Sequence, residues 1–348
     1  MKKPKRLRPG SKVAAVCLSS GIASTFPELY DWGRIQLAEK FELDLVPMTH
    51  TMLSPEELYE RPELRVSDFY EAWERPDIDG VISVIGGEDS IRLLKHFDQS
   101  RLSRSHKVFV GMSDTTVTHL LLQRLGLNTF YGPAVLYGFA DFGGLNPFTA
   151  DAFRRAVMSG QPMGELKPYT GDCVAGASQW SQPNLMQLPP LRPTPPWRWI
   201  HGKGRHQGRL FGGCIEVICP IAANTGLWPL EPHFWDDKII FLEYSHELAN
   251  AEYTRWYLRS LAAQGVLARS KGLLMGRMHH SVPADEAAKI PETLLQVILH
   301  EERLDHLPVV VDMDFGHVLP MLTLPYGCLT EIDCDQQKIV VLEAATLD

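Results

Sequence analysis

Hydrophobic residues follow two alternating patterns in the first half of the chain. Short apolar runs, such as residues 108–110, are typical of buried strands, whereas Val117, Leu120 and Leu121 recur at the spacing of one helix face. Strands are predicted at residues 12–18, 43–47, 80–85, 107–110 and 128–131, and helices at residues 27–41, 65–75, 90–97 and 116–125. This alternation indicates an α/β domain whose mostly parallel sheet is covered on both faces.

The pattern changes at about residue 160. Residues 161–206 are rich in Pro, Gly and Trp, which predicts an irregular connecting and substrate-loop region. Beyond it, strands are predicted at residues 207–210, 238–243, 271–275, 307–313, 328–333 and 338–342, and helices at residues 251–264 and 291–300. We therefore expect an N-terminal domain at residues 1–160 and a smaller α+β C-terminal domain, rich in β-strands, at residues 207–348.

Composition and charge exclude several classes of protein. A net charge of −8 argues against a nucleic-acid polymer as partner, because phosphate contacts need a basic surface. No apolar run approaches the ~18 residues of a membrane span, and no apolar segment follows the basic start as it does in a signal peptide. The six cysteines are scattered without a CxxC pair, which predicts reduced thiols in a cytoplasmic protein.

The sequence GMSD, residues 111–114, joins a predicted strand to a predicted helix and contains the first candidate for chemistry. Ser and Asp are favoured helix caps, so Ser113 and Asp114 have a purely structural interpretation. A strand-to-helix elbow can also hold a nucleophilic serine clear of the sheet, beside free backbone N–H groups. Both interpretations stay open on this segment alone.

Other candidates also follow predicted strands, at the sheet edge where α/β proteins form their sites. Gly86 and Gly87 form either a plain turn or a source of free N–H groups for a phosphate or an oxyanion. Glu243 is either an orienting acid or a surface carboxylate in a salt bridge. His317, next to a glycine, is either a general base in a cleft or a structural histidine.

Ser113, Glu243 and His317 together have the residue types of a nucleophile, an orienting acid and a base. Cys214 is a rival nucleophile through its thiolate, although a buried cysteine is usually a packing residue. Glu216 is a further acidic candidate, which we rank below Glu243.

The motifs give no sign of a cofactor. His279 and His280 are adjacent rather than four residues apart, and no HExxH sequence occurs, so a metal site is not expected. The segment IGGEDS at residues 85–90 is neither a GxGxxG nor a P-loop sequence. We expect neither a metal ion nor an organic cofactor.

Seven segments occur in an order that resembles one family. They are LSSGIAS after the first strand, VISVIGGEDS, FVGMSDTT, GRLFGGCIEVI, IIFLEYSHE, GLLMGR and DFGHVLP. The chain resembles the LD-carboxypeptidase family of serine peptidases over essentially its whole length, and more closely the branch of microcin C self-immunity peptidases. The resemblance implies a Rossmann-like N-terminal domain, a separate C-terminal domain and a homodimer.

The resemblance also implies residue roles. By it, Ser113 is the nucleophile, Glu243 the acid and His317 the base. The backbone N–H groups of Gly87 and Asp114 are expected to form the oxyanion hole.

Three positions bear on the substrate. The turn IGGEDS, which contains Gly86, resembles the microcin branch rather than the murein-recycling members. Trp180 occupies the position at which an aromatic residue of that branch helps to hold an adenylate-like group, with ordinary packing as the alternative. Cys214 stands where the family often has Asn, so we expect it to contact substrate.

We therefore expect a serine carboxypeptidase or amidohydrolase that cleaves an amide bond of a small peptidyl or aminoacyl-nucleotide substrate through an acyl-enzyme. One alternative is a murein tetrapeptide LD-carboxypeptidase of cell-wall recycling. Another is a catalytically silent protein that sequesters a peptide or an adenylate, which the presence of all three triad candidates argues against.

Overall fold

Two main sheets organise the chain. The computed structural model describes residues 1–176, 180 and 184–348, with residues 221 and 222 described by their backbone alone. The strands are β1 Lys12–Val16, β2 Asp44–Pro47, β3 Gly80–Ser83, β4 Val108–Gly111, β5 Phe130–Tyr131, β6 Pro162–Leu166, β7 Asp172–Val174, β8 Leu191–Pro193, β9 Arg198–His201, β10 Arg205–Cys214, β11 Lys238–Glu243, β12 Gly272–Gly276, β13 Val309–Met313, β14 Leu324–Pro325, β15 Leu329–Asp333 and β16 Lys338–Ala344. The helices are α1 Pro27–Phe41, α2 Pro55–Glu60, α3 Pro62–Glu74, α4 Gln99–Leu102, α5 Thr116–Arg124, α6 Pro147–Val157, α7 Ile215–Val217, α8 Ala251–Ala263, α9 Val266–Arg269 and α10 Ala284–Leu295.

The first sheet has the strand order β14-β5-β4-β3-β1-β2. Strands β1 to β5 pair in parallel, and only β14, at the edge, is antiparallel within the described residues. Every residue of β3 and β4 is buried, as is usual for strands with helices on both faces of a parallel sheet. The predicted N-terminal α/β architecture is confirmed.

The second sheet has the order β6-β16-β15-β10-β11-β12-β13-β9. Its centre, β10 to β13, is parallel, and antiparallel strands lie on both sides of that centre. Apolar side chains of β11 and β12 are buried, which supplies the core of this half. The predicted strand-rich second part is confirmed.

The connecting region differs from its prediction. Residues 161–206, expected to be irregular, contain β6 and β9 at the two edges of the second sheet and the small β7–β8 pair. These strands have only three to five residues each, and β6 and β8 contain Pro, so their side-chain pattern is too short to predict them. The predicted helix at residues 291–300 also begins earlier, because Pro291 lies inside α10 rather than at its start.

The two sheets are joined through the short strand β14. It comes from the C-terminal half of the chain but pairs with β5 of the first sheet. The next residue, Tyr326, is fully buried, and its hydroxyl donates to the backbone oxygen of Gly212 in β10 at 2.6 Å. Its ring also packs against those of Tyr131 and Phe241, one from each sheet. Tyr326 therefore connects the cores of both halves.

The carboxyl ends of several central strands face a common region. The turn after β3 holds Gly86, the turn after β4 holds Ser113, and β10 and β11 end at Cys214 and Glu243. This is the edge at which open parallel sheets form their sites.

Among the described residues, no helix has the length and apolar character that crossing a membrane requires.

Removing the Tyr326 hydroxyl tests the junction between the sheets. Tyr326→Phe should lower the free energy of unfolding by about 1 kcal/mol, because ring packing is kept while the Gly212 oxygen loses this donor. Tyr326→Ala should cost about 3–5 kcal/mol, since the aromatic ring is also lost. Urea denaturation measures both changes, and equal losses for the two variants would contradict the importance of ring packing.

Candidate active site

Ser113 lies in a strained turn between β4 and α5. Its φ is +59°, a left-handed conformation that residues other than glycine rarely adopt. Its N–H donates to the hydroxyl of Tyr131 at 2.9 Å, and no side chain caps the short 3-10 turn that Ser113 begins. The capping interpretation is therefore wrong for Ser113, and the turn instead directs the hydroxyl toward His317.

His317 links the serine to an acid. Its Nε2 lies 2.9 Å from Ser113 Oγ, and its Nδ1 lies 2.7 Å from Glu243 Oε2. Because a carboxylate only accepts hydrogen bonds, Nδ1 carries the proton and Nε2 is left to accept one from the serine. The three side chains have the geometry of a nucleophile, a base and an orienting acid.

Glu243 is fully buried, so the surface salt-bridge interpretation is wrong for it. Its Oε2 also accepts from the backbone N–H of His317 at 3.1 Å, and its Oε1 accepts from the Tyr131 hydroxyl at 2.5 Å. Burial by itself would raise the pKa of this carboxyl, but the charge of His317 and these hydrogen bonds hold the pKa of Glu243 below its usual value. The acid is therefore ionised at neutral pH.

The charge of Glu243 acts on the base in turn. Burial alone would lower the pKa of His317, but the neighbouring Glu243 carboxylate raises it above the ordinary histidine value. Glu216 and Glu247 add to this effect from further away. His317 consequently binds a proton more readily than a free imidazole, as a base that must hold the serine proton needs to.

Gly87 and Asp114, the two residues expected to supply the oxyanion hole, line the same cleft as Ser113, and their backbone N–H groups are free of protein partners among the described residues. Gly86 permits this arrangement, because a Cβ there would lie 2.7 Å from the Cβ of Ser113. The Asp114 carboxylate, by contrast, is buried and accepts from Ser90 N–H at 2.8 Å, so it holds the turn in place.

Cys214 lies close to the base but has the properties of a buried thiol. It is 1% exposed, and its Sγ donates to Glu216 Oε2 at 3.2 Å. Burial and the nearby carboxylates of Glu243 and Glu216 raise the pKa of Cys214 well above its usual value, so it carries no thiolate at neutral pH. This disfavours Cys214 as the nucleophile.

The same neutral thiol bears on metal binding. Ligand atoms of Cys214, Glu243 and His317 lie within 4.8 Å of one another, the one such grouping among the described residues. Cys214 would bind a metal ion as its thiolate, which its raised pKa disfavours, and both ring nitrogens of His317 already bond to Glu243 and Ser113. The donor set therefore does not fit a metal ion.

Comparison with known proteins identifies the family. The model of the LD-carboxypeptidase N-terminal domain matches residues 13–132, and that of the C-terminal domain matches residues 207–332. The chain belongs to the LD-carboxypeptidase family. The family resemblance predicted from the sequence is thereby confirmed.

Relatives within the LD-carboxypeptidase family include microcin self-immunity proteins. The microcin C7 self-immunity protein MccF of Escherichia coli is 28% identical over 287 residues, or 80% of this chain and 78% of that protein. An MccF-like protein from Streptococcus pneumoniae, solved in complex with AMP, has a TM-score of 0.84 at 27% identity and covers 95% of this chain and 98% of its own. MccF in complex with aspartyl sulfamoyl adenosine has a TM-score of 0.82 at 22% identity, with coverage of 99% and 100%, and shares the fold.

Two cavities adjoin in this LD-carboxypeptidase family member. The candidate catalytic cleft, which Ser113 and His317 help to line, has a volume of about 700 Å³. Trp180 lies outside it, in the wall of a side cavity of about 320 Å³, and His246 lines both spaces. Trp180 packs edge-on against Phe26 with 5.4 Å between ring centres. Trp180 therefore has the packing contact of one alternative, and its place in the cavity wall is compatible with the other, a residue that helps to hold an adenylate-like group.

Tyr131 is a further candidate residue of the site, which the sequence did not reveal. Its hydroxyl accepts from Ser113 N–H and donates to Glu243, and so connects the serine turn to the acid. It was predicted only as part of a buried strand. One feature of the sequence points to it: Tyr131 ends the predicted strand at residues 128–131, which follows the strand before Ser113. A buried tyrosine hydroxyl at that position needs a hydrogen-bond partner.

Replacing Tyr131 with Phe should lower kcat about 10-fold with little change in KM, because the loss of one net hydrogen bond loosens the positions of Ser113 and Glu243. Steady-state kinetics on a cleaved substrate measure the effect. Tyr326→Phe is the matched control, since it removes a neighbouring buried hydroxyl that donates to Gly212 instead. Equal kcat losses in both variants would show a general packing effect.

The pH dependence should report the raised pKa of His317. Since only the neutral imidazole accepts the serine proton, kcat/KM should rise with pH through a pKa above 6.5. Glu243→Gln removes the charge that raises this pKa, so the acidic limb should move to lower pH while kcat falls. An acidic limb that stays in place in Glu243→Gln would contradict the assignment.

Proposed function

We propose that this LD-carboxypeptidase family member is a serine hydrolase that cleaves an amide bond of a small peptidyl or aminoacyl-nucleotide substrate through an acyl-enzyme. The hydrogen-bonded chain from Ser113 through His317 to the buried Glu243 carries this proposal. The family match supports peptide-bond chemistry, and the relatives solved with AMP or aspartyl sulfamoyl adenosine support the nucleotide part.

In the proposed reaction, Ser113 Oγ attacks the substrate carbonyl carbon and its proton passes to Nε2 of His317. The N–H groups of Gly87 and Asp114 stabilise the developing oxyanion. The imidazolium, held by Glu243, then gives its proton to the leaving amine. Water, deprotonated by His317, releases the acyl group and restores Ser113.

The side cavity is the proposed position of the nucleobase. It adjoins the catalytic cleft at His246, so one elongated substrate can occupy both spaces. Trp180 offers an aromatic ring there, and nucleobases stack on aromatic side chains. Gly86 and Cys214 remain proposed substrate contacts beside Ser113.

Ser113→Ala should lower kcat by about 10⁴- to 10⁶-fold and leave folding intact, because the loss of a nucleophile removes the acyl-enzyme route. The assay should compare aminoacyl sulfamoyl adenosines with murein tetrapeptides, and circular dichroism should verify folding. Faster cleavage of murein tetrapeptides by the wild type would favour cell-wall recycling, and binding without any turnover would favour a sequestering protein.

Cys214→Ala is the control for the rival nucleophile. It should lower kcat far less than Ser113→Ala, because a buried neutral thiol does not attack. A loss as large as that of Ser113→Ala would move the nucleophile to Cys214.

Trp180→Ala should weaken the binding of nucleotide substrates by about 1–3 kcal/mol, the range for stacking of a base on an aromatic ring. The change should appear in KM, with short peptides that lack the nucleotide unaffected. An equal loss on both kinds of substrate would show that Trp180 acts through its packing with Phe26.

Three further features remain proposals. They are the division into domains at residues 1–160 and 207–348 with a connecting region at 161–206, the homodimer and the cytoplasmic location. Light scattering of the purified protein tests the homodimer directly.

A further inference from the structure

A buried carboxylate without a cationic partner lines the catalytic cleft. Glu216, in α7 directly after β10, is only 9% exposed. It accepts from the N–H of Ser245 at 3.0 Å, from the Ser245 hydroxyl at 2.9 Å and from the Cys214 thiol. All three donors are neutral, and no Lys or Arg pairs with Glu216 in the described part of the chain.

The surrounding charges have the same sign. Glu88 and Glu247 also line the catalytic cleft, both are exposed, and neither forms an ion pair within the described residues. No Lys or Arg lines this cleft in the described ranges. Its other titratable groups are the Cys214 thiol, which donates to Glu216, the Asp114 carboxylate, which accepts from Ser90, and the imidazoles of His246 and His317. Three carboxylates therefore line the space beside Ser113 without a Lys or Arg among the described residues to balance their charge.

We propose that Glu216, with Glu88 and Glu247 at the rim, selects substrates whose acyl part carries an ammonium group. A buried charge is costly unless it is paired, so a substrate cation beside Glu216 is stabilised and a substrate carboxylate is repelled. This inference rests on the proposed function, because it assigns the acyl subsite of the same cleft. It predicts a different preference from that of a site built for acidic aminoacyl groups.

The ammonium group can come from two parts of an aminoacyl group, the side chain or the α-amino group. Lysyl and norleucyl sulfamoyl adenosines differ only in the side-chain ammonium. The α-deamino form of each carries a hydrogen atom in place of the α-ammonium group. These four ligands, with the glutamyl compound added for its opposite charge, separate the two sources.

Binding is measured by calorimetry on Ser113→Ala, so that affinity is read without turnover. A ligand that carries the selected ammonium should bind at least about 10-fold more tightly than its counterpart without that charge, because hydrogen bonds between charged groups are stronger than those between neutral groups. The glutamyl ligand should bind weakest, because its side-chain carboxylate is repelled. Adding Glu216→Gln to Ser113→Ala should abolish most of this difference in affinity, since the Gln side-chain oxygen still accepts from Ser245 but carries no charge. Glu39→Gln, an exposed change of the same type on α1, should leave the difference intact.

Equal affinities for charged and uncharged ligands, preferential binding of the glutamyl ligand, or no measurable binding of the lysyl ligand would overturn the inference. A difference that survives Glu216→Gln would overturn the role of Glu216. Turnover of the best-bound ligand by the wild type is a separate readout, so a failure of the proposed hydrolase is distinguished from a failure of the ammonium preference.

Discussion

The site depends on one buried charge, the carboxylate of Glu243. A carboxylate with no exposed surface is stable only where donors surround it, and here they come from both sheets. Tyr131 belongs to β5 of the first sheet, whereas His317 follows β13 of the second and supplies both a ring and a backbone N–H. The two sheets must therefore pack in one relative position for these donors to reach the carboxylate, and the same position brings Ser113 within reach of His317.

Backbone conformation makes room for this charge. A Cβ at Gly316, whose φ is +88°, would lie 2.4 Å from Glu243 Oε2, so the chain can pass the carboxylate and present the His317 N–H only if glycine stands there. Ser113 accepts a similar left-handed conformation without being glycine. Its turn is held by the Tyr131 hydroxyl and by the buried Asp114 carboxylate, which receives the Ser90 N–H. Strain at the serine is thus compensated by hydrogen bonds around it.

Much of this arrangement could be predicted from sequence, for identifiable reasons. The helix Pro27–Phe41 and the strand Lys238–Glu243 have the predicted bounds. The helix begins at a proline, which suits a first helical turn, and the strand contains a continuous apolar run. Ser113, Glu243 and His317 are candidates from the sequence because each lies at or just after the end of a predicted strand, and the family order connects them. Their distances could not be predicted, since the contacts span 74 and 204 residues of chain. The two-residue strand β14, the bridging hydroxyl of Tyr131 and the Glu216 carboxylate, which pairs with no Lys or Arg of the described residues, are tertiary features that leave no periodic pattern.

The central claim is that Glu243 and His317 together make Ser113 nucleophilic, and covalent labelling tests it most directly. The protein is treated with a fluorophosphonate, which reacts with activated serines, and the labelled peptide is identified by mass spectrometry. The account predicts one phosphonate adduct, on Ser113, which forms in the wild type and is lost in His317→Ala. A label on another residue, or an adduct on Ser113 that forms equally fast in His317→Ala, would contradict it.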